Sequence, residues 1–325
     1  MKKAIITGIT GQDGSYLAEL LLLKGYEVYG FVRRESFENA NDNFKNIKSI
    51  KDKITIIPIS ITDPLNLYKE ISNIKPDEFY HLAAHSFVSY DMSDEISIMN
   101  INFNSTLYIM STIKEVNPKC KVFFAGSSEM FGSPESSPQN EGSKFNPKSM
   151  YGIAKVSSYY LLKNFRDKDS LYTSTGIMYN HESSRRGSQF VTKKIISTAV
   201  KIKHKLSDKL ELGNLEAMRD WGYAPDYVYA MWLVLQQKEP SDYIISTGKL
   251  HSVRNFLEIV FTYLGLDYKK YVVVNKDFYR ESEKIALCGD ASKIRSLGWK
   301  ETKNLQEIIE EMVKVEIEKI SRKKI

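Results

Sequence analysis

Short apolar runs alternate with helix-like patterns along the first half of the chain. The apolar runs predict strands, and the stretches in which apolar residues recur every three or four positions predict helices. The predicted strands are Lys3–Thr7, Glu27–Val32, Ile54–Ile57, Glu78–Leu82, Lys121–Ala125 and Ser174–Met178. The predicted helices are Ser15–Lys24, Leu65–Ile74, Ser105–Val116 and Met150–Lys163. This alternation is typical of a parallel sheet covered by helices on both faces.

Right-handed crossovers turn such a sheet into a doubly wound Rossmann sheet, so the predicted fold class is α/β. Beyond Asn180 the alternation becomes looser. Helices are predicted near Val191–His204, Ala224–Gln237, Val253–Leu264 and Asn304–Ile320, with short strands near Asp242–Thr247 and Tyr271–Val274. Apolar residues share one face of the last helix, which we expect to pack on the body of the protein.

Composition narrows the class of protein without identifying it. The chain has 325 residues, of which 42% are hydrophobic and 26% charged, as in ordinary globular proteins. The net charge is +6, but Lys and Arg are scattered, so nucleic acid is not an expected partner. The apolar runs are too short for a membrane span or a signal peptide, and we expect a cytoplasmic protein. Cys120 and Cys288 are far apart and lack metal-ligand spacing, which predicts free thiols and no metal.

Three glycines lie between the first predicted strand and the first predicted helix. Gly8, Gly11 and Gly14 have the spacing of a turn that brings backbone N–H groups close to a pyrophosphate at a helix N-terminus. The alternative is a glycine-rich turn without a ligand. The preceding strand and the following helix favour a dinucleotide site.

Two arginines follow the second predicted strand, at the point where NAD-binding proteins usually carry an acidic residue for the ribose 2′-hydroxyl. Guanidinium groups at Arg33 and Arg34 match a 2′-phosphate instead, which favours NADP over NAD. The alternative is a pair of solvated surface charges.

A tyrosine and a lysine four residues apart begin the helix after the fifth strand. Tyr151 and Lys155 lie on one helical face and reach the same point. A phenol is a poor base at neutral pH, but a nearby ammonium favours the phenolate, so we expect Lys155 to keep Tyr151 anionic. Such a Tyr accepts the proton of an alcohol while hydride leaves the same carbon.

The fifth strand is followed by two further chemical groups. Ligands of these sheets bind beyond the carboxyl ends of the strands, where the Ser127 hydroxyl can hydrogen-bond a reacting oxygen. Glu129 adds a carboxylate that a plain reductase does not need but that abstraction of a carbon-bound proton does. The alternative is that both side chains cap the following turn.

These motifs together resemble the GDP-mannose 4,6-dehydratases, a family of the extended short-chain dehydrogenase/reductases. The resemblance rests on the blocks TGITGQDG, RR, SSEMFG and YGIAK in the first half of the sequence. It continues with NHESSRRG, FVTK, GNLEAMRDWG, RESE and GDASK in the second half, and so spans nearly the whole chain. The NHESSRRG and GNLEAMRDWG blocks are much more specific than the glycine turn.

The resemblance implies a Rossmann domain over residues 1–179 that holds NADP tightly, and a smaller α/β domain for a GDP-linked sugar over 180–325. Segments of the second domain are expected to interleave with the first. The catalytic residues implied are Ser127, Glu129, Tyr151 and Lys155. The implied cofactor contacts are Gly8, Gly11, Gln12, Asp13, Gly14, Arg33, Arg34, Asp63, Leu82, Ala83, Tyr151, Lys155 and Arg186. The implied substrate contacts are Ser86, Asn180, Lys193, Arg219, Arg280 and Glu283.

The sequence departs from the family pattern at several positions. Ser127 replaces the usual Thr, Ser60 an acidic residue near the adenine, and Phe87 a His after the fourth strand. These changes leave open whether the sugar is mannose, N-acetylglucosamine or heptose. A nucleotide-sugar 4-epimerase or reductase is an alternative, although neither needs Glu129. A non-enzymatic nucleotide-binding protein would not need all four catalytic groups.

The segment Arg33–Ser49 is polar and predicts a long loop with few anchors. In the resembling family the corresponding segment reaches the cofactor of a neighbouring subunit. The resemblance therefore implies a homodimer or homotetramer. Arg185 and Arg186 are expected to add charge near that cofactor, with surface solvation as the alternative.

Overall fold

The computed structural model describes residues 1–38, 43–86, 92–275, 278 and 285–322, and only the backbone of residues 92 and 93. The strands are β1 (Lys3–Thr7), β2 (Glu27–Val32), β3 (Thr55–Pro58), β4 (Glu78–His81), β5 (Lys121–Ser127), β6 (Thr173–Met178), β7 (Asn180–Glu182), β8 (Leu210–Leu212), β9 (Met218–Tyr223), β10 (Tyr243–Ile245), β11 (Leu250–Ser252) and β12 (Val272–Val274). The α-helices are α1 (Gln12–Leu23), α2 (Pro64–Ile74), α3 (Met92–Met99), α4 (Ser105–Val116), α5 (Met150–Asp169), α6 (Val191–Lys203), α7 (Ala224–Leu235), α8 (Val253–Tyr263), α9 (Ser292–Arg295) and α10 (Leu305–Arg322).

Within the described ranges, a 7-stranded sheet runs in the order β3-β2-β1-β4-β5-β6-β10. All six strand pairs in it are parallel. The order of its first six strands is that of a doubly wound dinucleotide-binding sheet. Because the strands are parallel, their carboxyl ends lie at one edge.

Both faces of this sheet are buried, as the alternation of side chains along β1 shows. Ala4 and Ile6 belong to the apolar cluster that includes residues of α1 and α7. Ile5 belongs to the cluster on the opposite face, with residues of α2, α4 and α5. Successive strand residues point to opposite faces, so near-continuous apolar strands are what a sheet covered on both sides requires.

The C-terminal part contributes to two bodies. Strands β11, β9 and β7 form a 3-stranded sheet, and β12 pairs with β8. Helices α6, α8 and α10 bury a second apolar cluster with Trp221 and β8. In contrast, α7 packs on α1, and β10 extends the large sheet beside β6.

Asp220 joins these two bodies. Its buried carboxylate accepts hydrogen bonds from the N–H and hydroxyl groups of Thr247, at 2.9 and 2.6 Å, and from the N–H of Gly248 at 2.8 Å. Burial raises the pKa of Asp220, and these hydrogen bonds oppose that effect. The carboxylate therefore fixes β9 to the turn that follows β10.

The fold class predicted from the sequence is confirmed, and β1 and β2 have the predicted bounds. Helix α3, the π-helical turn Asn100–Asn104 and the short strands β7, β8, β9 and β11 were not predicted. Most of these strands have only three residues, which is too few for a recognisable alternation.

The prediction of a long loop with few anchors over Arg33–Ser49 is wrong for its described part. Residues Arg34–Phe37 and Lys45–Lys53 form 3₁₀ helices. Ile47, and Ile50 one residue beyond the segment, are buried in the cluster that contains α1. Two apolar residues three positions apart share a side of a 3₁₀ helix, and this spacing anchors the segment.

No helix in the described part of the chain is long and apolar enough to cross a lipid bilayer.

Candidate active site

The glycine turn lies against the segment that follows β4. Gly8 has a φ of +74°, and a Cβ atom there would lie 3.1 Å from backbone atoms of Ala83. A Cβ atom on Gly14 would lie 2.3 Å from the carbonyl oxygen of Gly8. Glycine is required at Gly8 by the positive φ, and at Gly14 by contacts with backbone that cannot move aside. The turn is therefore packed tightly at the N-terminus of α1, as a pyrophosphate cradle requires.

A buried hydrogen-bond network fixes the neighbouring strand ends. The Thr7 hydroxyl accepts from the N–H groups of Leu82 and Ala83, both at 3.0 Å, and lies 2.9 Å from His81 Nδ1. His81 Nε2 lies 3.2 Å from the Ser105 hydroxyl. Burial, with a smaller contribution from the positive charge of Lys155, lowers the pKa of His81 to about 3. Neutral His81 thus accepts from Thr7 and donates to Ser105, a role that sequence reasoning missed.

Asn102 supports the same region from the π-helical turn. Its side chain accepts from the His85 N–H at 2.8 Å and donates to the His85 carbonyl at 3.2 Å. The Ser158 hydroxyl of α5 donates to the Asn102 carbonyl at 2.8 Å. Asn102 therefore ties the segment after β4 to the helix that carries Tyr151. Sequence reasoning missed it because a π-turn has no periodic signature.

The predicted catalytic residues meet at the carboxyl end of β5. Ser127 is the last residue of the strand, and its hydroxyl accepts from the Glu129 N–H at 3.3 Å. Ser149 caps α5 by accepting from the Gly152 N–H at 3.1 Å. A Cβ atom on Gly152 would lie 2.6 Å from the Glu129 carbonyl oxygen, so this glycine allows α5 to begin directly beside Glu129. The structure brings all four predicted groups together.

The expectation that Lys155 keeps Tyr151 anionic is wrong in this structure. Burial raises the pKa of Tyr151 to about 12, with the Glu129 carboxylate adding to the rise, although the Ser127 side chain acts to lower it. Lys155 Nζ donates to the Ala125 carbonyl at 2.7 Å and lies 5.7 Å from the centre of the Tyr151 ring. Burial lowers the pKa of Lys155 to about 7, so its ammonium is only partly protonated at neutral pH.

Three predicted cofactor residues follow β2 and β3, the two strands that lie on the side of β1 away from β5. Arg33 and Arg34 are exposed at the carboxyl end of β2, and Arg33 precedes the 3₁₀ helix that follows. The Asp63 carboxylate caps α2, accepting from the N–H groups of Leu65 and Asn66, both at 3.1 Å. Asp63 therefore has a structural task of its own.

The segment after β6 is held by the first turn of α1. Gln12 Nε2 donates to the His181 carbonyl at 3.1 Å, and its Oε1 accepts from the Ser183 hydroxyl at 2.8 Å. Asp13 Oδ2 lies 2.9 Å from His181 Nε2. Asn180, a predicted substrate contact, begins β7 and is paired with Trp221. The side chains of Gln12 and Asp13 therefore bind protein groups, and their contacts with a cofactor stay a prediction.

Three cations that follow β7 each lie close to a carboxylate. Arg185 donates to Glu19 at 2.6 Å, and Arg186 Nε lies 3.2 Å from the buried Glu182. Lys193 Nζ, a predicted substrate contact, lies 2.7 Å from Glu316 of α10. The pairing of Lys193 with Glu316 was not predicted, because these two residues are far apart in sequence.

The remaining predicted substrate contacts are distributed unevenly. Ser86 is exposed at the end of the segment after β4, and Arg219 lies on β9, where it donates to the Met218 carbonyl at 2.7 Å. Arg280, Glu283 and the sequence departure at Phe87 lie outside the described residues.

Together, the parallel sheet, the glycine turn and the Ser–Tyr–Lys group define the fold and site of an extended short-chain dehydrogenase/reductase. The GDP-mannose 4,6 dehydratase family model matches residues 5–312, and the chain belongs to this family, as the sequence resemblance predicted.

Individual members of the family are similar to this chain over nearly its whole length. The chain is 42% identical to GDP-mannose 4,6 dehydratase 2 of Arabidopsis thaliana, covering 100% of this chain and 89% of that protein. It is 40% identical to the human GDP-mannose 4,6 dehydratase, covering 97% and 91%.

Solved structures share the fold at low sequence identity. A dTDP-glucose 4,6-dehydratase of Bacillus anthracis in complex with NAD matches with a TM-score of 0.85 at 19% identity, over 99% of this chain and 98% of that one. The structure of RMD from Pseudomonas aeruginosa with NADPH matches with a TM-score of 0.80 at 16% identity, over 98% of each chain.

Lys155 gives the folded protein a characteristic pH dependence. Its pKa falls from the ordinary value of 10.5 to about 7 on folding, so between these values the unfolded chain binds more protons than the folded one. Stability therefore rises with pH in this window, with a contribution from Lys155 that approaches about 1.4 kcal/mol per pH unit. In Lys155→Met we expect a smaller slope of the free energy of unfolding, measured in urea from pH 7 to 9. Equal slopes for the two proteins would contradict the assignment.

Proposed function

We propose that the protein is a GDP-sugar 4,6-dehydratase, which converts a GDP-hexose to the GDP-4-keto-6-deoxyhexose. The observation that carries the proposal is the position of Glu129. Its backbone is fixed by Ser127 on one side and by the close approach of Gly152 on the other. A carboxylate beside a Ser–Tyr–Lys group supplies the base that elimination of water requires and that oxidation alone does not.

The residues around the glycine turn fit a nicotinamide dinucleotide. Gly8 and Gly14 form a cradle that a Cβ atom would fill, at the N-terminus of α1. A nicotinamide dinucleotide held by this cradle would supply the hydride acceptor for oxidation at C4 and the hydride donor for reduction at C6. The solved structures that bind NAD and NADPH support this class of cofactor.

We assign the proton transfers to residues of this chain. Tyr151 accepts the proton of the sugar 4-hydroxyl as hydride leaves C4, and Ser127 hydrogen-bonds the same oxygen. The resulting 4-ketone acidifies the C5 hydrogen. Glu129 removes the C5 proton and returns it to the departing C6 hydroxyl, which leaves as water. Ser128 stands beside Glu129, and no second carboxylate is adjacent in sequence, so Glu129 performs both transfers. When hydride returns to C6, C5 takes up a proton from solvent, and Tyr151 releases to solvent the proton it gained from the 4-hydroxyl, so the net change is the loss of one water.

Tyr151 can act as a base only if its pKa falls. We propose that this fall occurs when the cofactor is bound. Tyr151 and Lys155 are both buried, and in the free chain burial keeps the phenol protonated. An oxidised nicotinamide carries a positive charge, and such a charge nearby favours the phenolate. Proton abstraction by Tyr151 is therefore confined to the complex that can also accept the hydride.

The preference for NADP is supported by the two exposed arginines at the end of β2. Neither Arg33 nor Arg34 is buried, and a 2′-phosphate at the end of this strand would meet both guanidinium groups. We also propose that Arg186 contacts the cofactor, and that Ser86, Asn180, Lys193, Arg219, Arg280 and Glu283 contact the sugar nucleotide. For Lys193 this requires that its ammonium be shared with Glu316.

The domain division and the assembly are also proposals. We place the cofactor domain at 1–179 and the sugar-nucleotide domain at 180–325, with α7 and β10 returning to the first. The family supports an oligomer, a homodimer or a homotetramer in which Arg33–Ser49 reaches a neighbouring subunit.

The direct test is to incubate the protein, with NADP⁺ present, with GDP-mannose, GDP-N-acetylglucosamine and GDP-manno-heptose. We expect one of them to lose the mass of one water, with no net reduction of the cofactor. The mass change also identifies the sugar. Conversion without loss of water would indicate an epimerase or a reductase, and absence of turnover with all three would contradict the proposal.

Glu129→Gln separates the elimination from the oxidation. The amide keeps the size of the side chain but is not a base, so we expect water loss and exchange of the C5 proton to fall by at least about 100-fold. Oxidation at C4, seen as transient NADPH absorbance, should remain. Tyr151→Phe is the matched comparison, since it should remove the oxidation as well. Water loss at the normal rate in Glu129→Gln would show that another group is the base.

Replacing both Arg33 and Arg34 with Ala tests the cofactor preference. We expect NADP⁺ to bind more weakly by at least about tenfold, with NAD⁺ binding little changed, because only NADP⁺ carries the 2′-phosphate. Calorimetry with both cofactors measures the change. Tighter binding of NAD⁺ than of NADP⁺ by the unsubstituted protein would refute the preference.

A further inference from the structure

His181 on β7 lies between two hydrogen-bond acceptors. Its Nδ1 is 2.8 Å from the carbonyl oxygen of Tyr179, and its Nε2 is 2.9 Å from Asp13 Oδ2. A carbonyl oxygen only accepts, so Nδ1 must carry a proton. An ionised Asp13 requires a second proton on Nε2. An imidazole that donates from both nitrogens is a cation, and the two residues then form an ion pair.

The surroundings favour the charged pair over a neutral one. Burial acts to lower the pKa of His181, but the Asp13 carboxylate outweighs it and the pKa is raised. Burial acts to raise the pKa of Asp13, but His181, with a hydrogen bond from Gln12, outweighs it and the pKa is lowered. The His181 ring also stacks on Tyr227 of α7, with ring centres 4.5 Å apart.

The other charged groups that face this pair come from the end of β7 and the segment after it. Arg186 acts to lower the pKa of His181, while the Glu182 carboxylate interacts with His181 and is also paired with Arg186. Asp13 acts on His181 more strongly than Arg186 does, and it is the dominant partner.

The pair connects two parts of the proposed site. Asp13 is in the first turn of α1, between Gly11 and Gly14 of the glycine turn, and His181 directly follows Asn180. Gln12 adds hydrogen bonds to the His181 carbonyl and to Ser183. Gln12 and Asp13, two consecutive residues of the glycine turn, therefore hold β7, the strand that begins with Asn180.

We propose that Asp13 and His181 form a buried ion pair that positions β7 against the glycine turn. Because Asn180 begins β7, the pair would also position the sugar nucleotide. Both are positioning residues, because their charged groups are directed at each other. The ligand identities in this inference rest on the proposed function. The pairing itself does not.

The pair exists in a defined pH window. A neutral imidazole has one N–H and cannot donate to both Tyr179 and Asp13. His181 has a raised pKa, so the pair is present below that value and is lost as the pH rises through it. Asp13 has a lowered pKa, so the pair is present above that value and is lost as the pH falls through it.

The first measurement is nitrogen NMR of the histidine rings in the full-length protein, with His181→Gln identifying the signals. We expect both nitrogens of His181 to be mostly protonated at pH 6.5, the ordinary pKa of an imidazole, because the pKa of His181 is raised above that value. In Asp13→Asn the amide can donate to Nε2, so the hydrogen bond remains while His181 becomes neutral. A mostly neutral His181 in the unsubstituted protein at pH 6.5 would overturn the proposal, and this result does not depend on any enzymatic activity.

The second measurement is the binding of GDP by calorimetry in the presence of saturating NADP⁺. We expect Asp13→Asn and His181→Gln each to weaken GDP binding by about tenfold, and the double variant to bind no more weakly than the weaker single one, as for residues that act as a unit. In turnover the KM for the sugar nucleotide should rise more than kcat falls. Additive losses in the double variant, or unchanged GDP binding in both single variants, would contradict a shared positioning role.

Glu19→Gln is the matched control. Glu19 lies on the same helix and pairs with Arg185 of the same segment, so this variant also removes a carboxylate that holds the region. It should leave GDP binding and the His181 signals unchanged. If Glu19→Gln weakened GDP binding as much as Asp13→Asn does, removing any carboxylate that holds this region would have the same effect, and the proposal would be refuted. If the unsubstituted protein binds no GDP, the proposed function fails, while the NMR result still decides the ion pair.

Discussion

The parallel register of β1, β4 and β5 is the constraint on which the rest of the site depends. It places the glycine turn, the segment after β4 and Ser127 at one edge of the sheet, although they are separated by more than a hundred positions in the chain. The Thr7 hydroxyl strengthens this alignment, because it binds the backbone at the end of the neighbouring strand. Ligands of such sheets bind beyond the carboxyl ends of the strands, where the chemical groups that follow the strands can face them.

Close backbone contacts complete the site where side chains would block it. Gly8 and Gly14 let the cofactor turn pack on itself and on Ala83, and Gly152 lets the catalytic helix begin beside Glu129. Loop residues that carry chemistry need such rigid supports, since a displacement of about 1 Å reduces catalysis substantially. Asn102 and Ser149 serve the same purpose through hydrogen bonds.

Burial controls the protonation states in the site. It lowers the pKa of His81 to about 3, so that the imidazole is neutral, lowers the pKa of Lys155 to about 7 and raises that of Tyr151 to about 12. The pKa of Asp13 is lowered and that of His181 is raised despite burial, because the charge of each residue stabilises the charge of the other. The free protein therefore holds the Tyr151 phenol neutral and the Lys155 amine partly neutral.

The sequence by itself determined the order and type of the main elements and the family, and it predicted the four candidate catalytic residues that the structure places close together. These follow from local information: apolar periodicity, glycine spacing, and the four-residue interval that places Tyr151 and Lys155 on one face of a helix. The shortest strands, the π-turn and the anchored 3₁₀ segment after β2 lacked that local signal. Only the tertiary structure decided which charges meet, as in Asp13 with His181 or Lys193 with Glu316, because such partners are brought together by packing. It also decided that burial, and not the neighbouring ammonium, governs the pKa of Tyr151, since desolvation depends on everything that surrounds the group.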